Sequence, residues 1–337
     1  MEEQLLTACL CGRIAEVQQL LSDPNLNPNI QDSYGATPFE IACYSGHIEV
    51  LKVLLNDERV KTGNQNKCWA SFFLACSDGD IETVQLLLND ESIDINKANI
   101  LRWTPFFIAC LKGNEEIVQI LLEDGRVDIN KANRYGETPF YIASQEGKIK
   151  VVKLLLNTKK VEVNKGTNDG TTPFMIACSR RYLEIVKLLQ NDKRIELNHA
   201  NWNGVTPFYL ACAKGHLDIV KLLVNDERVE VNKAEKSGRT PLSIACQLER
   251  IEIIPYILVS RKEISLNGKN NDGKNVLDIA KEKAKEGGLW ELNPEKFKEV
   301  IELLESYEKN PDEIRTKLRK QLGISGKIFL LICFICY

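Results

Sequence analysis

Gly204–Ala234 reads GVTPFYLACAKGHLDIVKLLVNDERVEVNKA, and its pieces recur along almost the whole chain. The central Ala211 has counterparts at Ala8, Ala42, Ala75, Ala109, Ala143, Ala177, Ala245 and Ala280, in steps of 33 to 35 residues. A fixed period of this size is the mark of stacked repeats. Within the unit, the Thr206 hydroxyl can cap free amides at a helix start, and Pro207 suits the first helical position. The same pair stands at Thr37-Pro38, Thr104-Pro105, Thr138-Pro139, Thr172-Pro173 and Thr240-Pro241. A short apolar helix follows through Phe208, Leu210, Ala211 and Cys212, and Gly215 ends it because glycine accepts a left-handed conformation at little cost. A second helix starts near His216, with Leu217, Val220, Leu222 and Leu223 on its apolar face and Asp218 and Lys221 outward. NDERVEVNKA then alternates apolar and polar residues, as an extended loop or short hairpin does. One unit cannot bury its own apolar face, whereas stacked copies bury it against one another. The sequence therefore predicts an all-α solenoid with projecting loops.

The pattern G-x-T-P-[FL]-x-x-A-C-x-x-G-H-x-[DE]-[IV]-V-x-x-L-L resembles the ankyrin repeat over roughly residues 1 to 307. The resemblance implies an ankyrin-repeat solenoid of about nine helix-turn-helix units with projecting loops or β-hairpins. One departure is systematic. Where the family's T-P-L-H carries histidine, this chain has Glu40, Phe73, Phe107, Tyr141, Met175, Tyr209 and Ser243. The hydrogen bonds of that histidine are replaced or absent here.

The repeat overrides the two or three globular domains that 337 residues would otherwise suggest. The expected organisation is one array over residues 1–310, with an N-terminal cap at 1–34, internal repeats at 35–270 and a C-terminal cap repeat at 271–310, then a tail at 311–337. The formal net charge of -3 leaves no chain-wide basic footprint for nucleic acid. Seven of the 11 cysteines fill one repeat position: Cys9, Cys43, Cys76, Cys110, Cys178, Cys212 and Cys246. Helices stacked about 8–10 Å apart hold such residues too far apart for disulfides, so they read as small core residues of a protein kept in a reducing, cytoplasmic setting. The acidic Met1-Glu2-Glu3 start lacks the basic region of a signal peptide.

Several units break the pattern. In the third, Ala70-Ser71 stands in place of Thr-Pro; in the fourth, Arg102 occupies the place of the loop glycine. Such departures mark either drift or function. Arg181-Tyr182 replaces Gly-His in the sixth unit, at a cost of about 1 kcal/mol if the left-handed conformation persists. Pro255 falls within the second helix of the eighth and predicts a bend there. The ninth has Asn275-Val276 for Thr-Pro and an insertion over 283–294. In the tail, Arg315, Lys317, Arg319, Lys320 and Lys327 precede the ten apolar residues 328–337. That run is too short to cross a bilayer, which takes about 17–20 residues. Basic residues beside it suit weak interfacial attachment, so membrane contact is expected only through 315–337. A disordered tail, docking on the last repeat and a gene-model error are the other readings. Cys333 and Cys336 form a lone C-x-x-C, a poor zinc signal without a second pair.

No catalytic constellation emerges. His47 and His216 occupy the Gly-His position, His199 occupies a loop place held elsewhere by lysine, and there is no phosphate-binding glycine loop. Asn96, Asn130, Asn164, Asn198 and Asn232 recur every 34 residues and read as a ladder bonding loop to loop. The expectation is a monomeric, non-enzymatic scaffold or adaptor without cofactor or metal. The alternative is an adaptor tethered to a membrane by its hydrophobic tail. The resemblance implies that a protein partner binds the groove of loop tips and first helices, where residues differ between copies. The candidate contact residues are Tyr34, Tyr44, Trp69, Arg102, Trp103, Tyr135 and Trp202. Trp69 and Trp103 are expected to pair at the groove edge, just before their helix caps, with Arg102 and Tyr135 beside them.

Overall fold

The computed structural model describes residues 1–45, 47–60, 64–89, 93–260, 263–286 and 294–324. The chain divides into two compact units, Met1–Glu162 and Val163–Tyr337. All regular structure among the described residues is helical.

In the first unit, the first helices of successive repeats are α1 (Glu2–Cys11), α3 (Pro38–Ser45), α5 (Asn64–Asp78), α7 (Pro105–Lys112) and α9 (Pro139–Gln145). The second helices are α2 (Ile14–Leu21), α4 (Ile48–Asn56), α6 (Ile81–Leu88), α8 (Glu115–Glu123) and α10 (Ile149–Asn157). Like packs on like: α1 on α3 and α5 on α7 on α9 form one layer, and α2 on α4 and α6 on α8 on α10 the other. In the second unit α11 (Pro173–Arg180), α13 (Pro207–Lys214), α15 (Pro241–Gln247) and α17 (Val276–Glu286) stack in the same way. Beside them lie α12 (Leu183–Asn191), α14 (Leu217–Val224) and α16 (Ile254–Leu258), closed by α18 (Pro294–Lys309) and α19 (Pro311–Gln321).

The Thr-Pro starts work as the sequence requires. Thr104, Thr138, Thr172, Thr206 and Thr240 each accept from the amide three residues on, at 3.1 to 3.3 Å. Thr37 and Glu40 form a reciprocal capping box: the Glu40 amide donates to the Thr37 hydroxyl, and the Thr37 amide to the Glu40 carboxylate. Asn275 and Asp278 do the same where Thr-Pro is missing. The residues that replace the family histidine are absorbed by the core: Phe107 and Met175 are wholly buried, and Tyr141 and Tyr209 nearly so. Ser243 instead donates its hydroxyl to the Thr240 carbonyl. Phe106 and Phe140 in the first unit, and Phe174 and Phe208 in the second, fill the interior behind each proline. Cys9, Cys76, Cys110, Cys178, Cys212 and Cys246 are free and buried, and burial pushes every one of their thiols up, Cys9 and Cys246 to about 12. The Cys43 side chain lies outside the described residues.

Where the sequence breaks the pattern, the backbone keeps it or yields for a definable reason. Arg102 and Arg181 adopt φ of 61° and 64°, the left-handed conformation of the glycines they replace. Glu249 does so as well, at φ 60°, a departure that sequence reading passed over. Its side chain has no partner among the described residues. Glu249→Gly is expected to stabilise the chain by about 0.5–1 kcal/mol, relief of left-handed strain being partly offset by glycine's greater freedom when unfolded. A thermal midpoint that does not rise would refute this. The expected bend at Pro255 is a break: a 3-10 turn at Ile251–Ile253 precedes α16, so the proline falls in a new first turn, where its missing N–H is harmless. The insertion expected over 283–294 is partly helix, since α17 runs to Glu286; residues 287–293 lie outside the described residues. Residues 311–321, read as the start of a tail, form α19. Asn310 caps it, Ile314 and Leu318 are buried, and it packs on α18. Residues 325–337, with the apolar run and Cys333 and Cys336, lie outside the described residues. No described helix is long and apolar enough to cross a membrane.

Candidate functional site

The loops between repeats are held by three recurring clamps. In the first, the asparagine ladder, each side-chain amide donates to a carbonyl in the next loop and its oxygen accepts the amide two residues further on. Asn96 engages Arg126 and Asp128, at 2.7 Å each; Asn130 engages Lys160 and Glu162. In the second unit Asn164, Asn198 and Asn232 repeat the arrangement, and in the first Asn29 donates to the Arg59 carbonyl.

The second clamp was not read from the sequence. Arg59, Arg126 and Arg228 each pair with an aspartate two residues earlier and reach back to a carbonyl ending a second helix of the previous repeat, that of Leu21, Leu88 or Gln190. A helix C-terminus leaves such carbonyls without internal partners and favours a cation. Hydrogen bonds from their arginines hold Asp57 and Asp124 below the usual carboxylate range. The recurrence of Asp57-x-Arg59, Asp124-x-Arg126, Asp192-x-Arg194 and Asp226-x-Arg228 is the signal that marks this clamp.

The third clamp lies where each second helix begins. His47 and His216 donate through Nε2 to the Leu10 and Ser179 carbonyls, both at 2.9 Å, and Asn114 to that of Cys76 at 2.8 Å. Each histidine therefore serves the repeat.

These clamps leave the loop tips rigid. Asp32, Asn99, Asn133, Asn201 and Asn270 each accept two amides of their own tip through one side-chain oxygen. Neighbouring tips are joined by backbone bonds, Arg134 to the Leu101 carbonyl in the first unit and Trp202 to that of Asp169 in the second. In the eighth repeat Glu235 takes the asparagine's role. Burial opposes its charge, but hydrogen bonds from Ser237 and Arg239 outweigh that and hold its carboxyl at about 2.

The structure sorts the candidate contact residues. Tyr34 is 93% exposed, Trp202 68% and Tyr135 54%, and Arg102 is exposed. The Arg134 guanidinium lies 5.6 Å from the Tyr135 ring centre. Ile100, which sequence reading did not single out as a contact, is 63% exposed on the tip beside them. Trp69 is not at a groove edge: it is 6% exposed, packs on Phe73 and donates Nε1 to the Lys97 carbonyl at 2.8 Å. Without a Thr-Pro start, α5 begins at Asn64 and carries Trp69 inside the helix instead of before its cap. Trp103 is half-buried and stacks on Phe107 with ring centres 5.6 Å apart. The two indoles make their ring contacts one turn along their own chain, with no ring contact to each other among the described residues. The Tyr44 side chain lies outside the described residues. Among those residues, no group of three His, Cys, Asp or Glu side chains is placed to hold a metal ion.

Comparison with known proteins agrees with this geometry. The model of ankyrin repeats (3 copies) matches residues 2–67, 72–167 and 159–235. The crystal structure of the human ASB11 ankyrin repeat domain superposes with a TM-score of 0.52 at 25% identity, covering 62% of this chain and 90% of that one. The ankyrin repeat domain of Bcl-3, a member of the IkappaB protein family, superposes with a TM-score of 0.57 at 21% identity, covering 62% and 92%. No curated protein matches. The family pattern is met three times on a chain whose caps and loop clamps recur with the same period, and on that ground the chain belongs to the ankyrin-repeat family.

Proposed function

We propose that this protein is a scaffold or adaptor that binds a protein partner through its loop tips, with Tyr34, Ile100, Arg102 and Tyr135 as contacts in the first unit and Trp202 in the second. Ankyrin repeats are generally protein–protein interaction modules, and the family is typically non-enzymatic. The observation that carries the reading is the exposure of large aromatic side chains on tips whose backbone is already fixed. Tyr34, Tyr135 and Trp202 stand out from turns closed by a side-chain oxygen. Tyrosine, tryptophan and arginine dominate interface hot spots, and a fixed backbone limits the entropy lost on association. The cytoplasm is the compartment we propose, supported by the buried free thiols, which suit a reducing interior.

The test is affinity capture with mass identification, comparing the native chain with the Tyr135→Ala/Trp202→Ala double variant. Both side chains are exposed, so helicity and unfolding midpoint should be retained. A contact that is a hot spot contributes about 2 kcal/mol or more, enough to remove the partner from the captured set. An unchanged set of captured proteins would sink the proposal.

A further inference from the structure

The asparagine ladder of the second unit ends on an open rung. Asn164, Asn198 and Asn232 donate to the carbonyls of Arg194, Arg228 and Glu263 at 2.6, 2.7 and 2.7 Å. Their oxygens accept the amides of Glu196, Glu230 and Ser265 at 3.0, 2.7 and 3.0 Å. The next asparagine in the series is Asn267. Ile264-Ser265-Leu266-Asn267 repeats the alternation of Val229-Glu230-Val231-Asn232, and Ile264 and Leu266 are buried just as Val229 and Val231 are. Asn267 therefore stands where a rung should stand, yet its side chain has no hydrogen-bond partner among the described residues and is exposed. It lines an open cavity of about 530 Å³ together with Glu263, Tyr307, Glu308, Asp312 and Arg315.

The chemistry of the vacant rung can be read from the filled ones. Each clamp takes a carbonyl at one residue and an N–H two residues on, which is extended backbone. The residue offering the carbonyl is basic in five of them: Arg59, Arg126, Lys160, Arg194 and Arg228. The residue between is Val127, Val161, Ile195, Val229 or Ile264, an aliphatic side chain, in the five rungs from Asn96 to Asn232. The cavity wall is complementary to a basic segment. Glu263, Glu308 and Asp312 line it together with one arginine, and that arginine is engaged, Arg315 Nη1 lying 3.1 Å from Asp312 and Nη2 donating to the Tyr307 hydroxyl at 2.7 Å. Three carboxylates against one guanidinium leave the wall net negative.

We propose that this cavity binds an extended basic peptide segment of the pattern [Lys/Arg]-[Val/Ile]-x, held by the Asn267 amide as the internal rungs hold their loops. The segment belongs to a partner protein, and the site is separate from the exposed aromatic tips. Both hydrogen bonds of the clamp go to peptide backbone, so they give affinity with little sequence demand. The carboxylates select positive charge.

The test uses the full chain and a fluorescein-labelled peptide, Lys-Lys-Arg-Val-Lys-Val-Lys, followed by anisotropy. Saturable binding is expected. Asn267→Ala should weaken it about tenfold, the loss of two hydrogen bonds of modest net strength. Methylating the peptide nitrogen two residues after the arginine removes the N–H that Asn267 would accept, and should weaken binding in the native chain but not in Asn267→Ala. Trp202→Ala should leave binding unchanged, so failure here and failure of the loop-tip surface are distinguishable. Asn267 makes no bond in the free chain, so its alanine variant should fold with an unchanged unfolding midpoint. Absence of saturable binding overturns the proposal. So does a loss of less than about fivefold in Asn267→Ala, since general charge attraction would then suffice. Equal sensitivity of native chain and Asn267→Ala to the methylated peptide overturns it as well.

Discussion

Phe208→Ala should lower the unfolding free energy by about 3–5 kcal/mol, the range for deleting a fully buried phenyl ring. Phe208 is 1% exposed, behind the proline that starts α13. That helix packs against α11 on one side and α15 on the other. A hole at this place weakens two interfaces between repeats, and in a stacked array stability is close to a sum of such nearest-neighbour contributions. Small shifts of neighbouring helices recover only part of the lost contact, because interiors are packed close to crystal density. Urea unfolding followed by far-UV circular dichroism reads the effect. Trp202→Ala serves as the control: its side chain is 68% exposed, and its removal should change stability by no more than about 0.5 kcal/mol. A loss below about 1 kcal/mol for Phe208→Ala would mean that the phenylalanine behind each Thr-Pro is not a core anchor. The reading of what the repeats share as interior would fail with it.

That reading was available from the sequence because a period amplifies a weak local signal. One Thr-Pro is an ambiguous helix start, whereas six at fixed spacing, each with glycine or a substitute about nine residues on, leave little room for another fold. The same amplification made the asparagine ladder legible, since Asn96, Asn130, Asn164, Asn198 and Asn232 keep the step of the repeat. What failed to read were features whose partners carry no side-chain identity. Arg126 reaches the Leu88 carbonyl and His216 that of Ser179, and a backbone oxygen 37 or 38 residues away leaves no trace in the sequence. Trp69 was misplaced because a missing Thr-Pro was read as a blemish in a fixed frame. Physically it removes the stop on helix growth, and α5 extends back to Asn64. The helix α19 went unseen because 311–321 does not match the repeat, although Asn310-Pro311 and the spacing of Ile314 and Leu318 are ordinary helix signals. Of the contact residues, those on tips with the regular turn, Tyr34, Tyr135 and Trp202, lie on the surface as the repeat frame implied. In the irregular units the outcome divides: Arg102 stays exposed, Trp103 is half-buried against Phe107, and Trp69 is carried into the core by the extended α5.

The loop tips depend on glycine for two separate reasons, and Gly238→Val is expected to expose both with a loss of about 2–4 kcal/mol. Gly238 has φ of 80°, a conformation that costs an L-residue about 1–2 kcal/mol and a β-branched one more. It also has a neighbour too close for a side chain: a Cβ there would lie 2.7 Å from the Lys269 carbonyl oxygen and 3.0 Å from the Asn270 Cα. Those atoms are backbone, so the overlap is relieved only by parting two adjacent tips, which are joined by the Asn271 amide donating to the Ser237 carbonyl at 2.8 Å. Gly215 is the informative contrast. Its φ is 72°, but a Cβ there meets the Arg250 side chain and not backbone, so Gly215→Ala should lose the conformational part, about 1–2 kcal/mol, and beyond it only the exposed hydrogen bond from Arg250 to the Ala213 carbonyl. The difference between the two positions separates backbone strain from the closeness of neighbouring loops. Amide exchange gives a second readout, since Gly238→Val should speed exchange at Asn271 while leaving the amides of α13 protected. If the two variants lose the same stability and Asn271 keeps its protection, the tips do not press on one another, and the rigidity on which the proposed contact surface rests would have to come from within each turn.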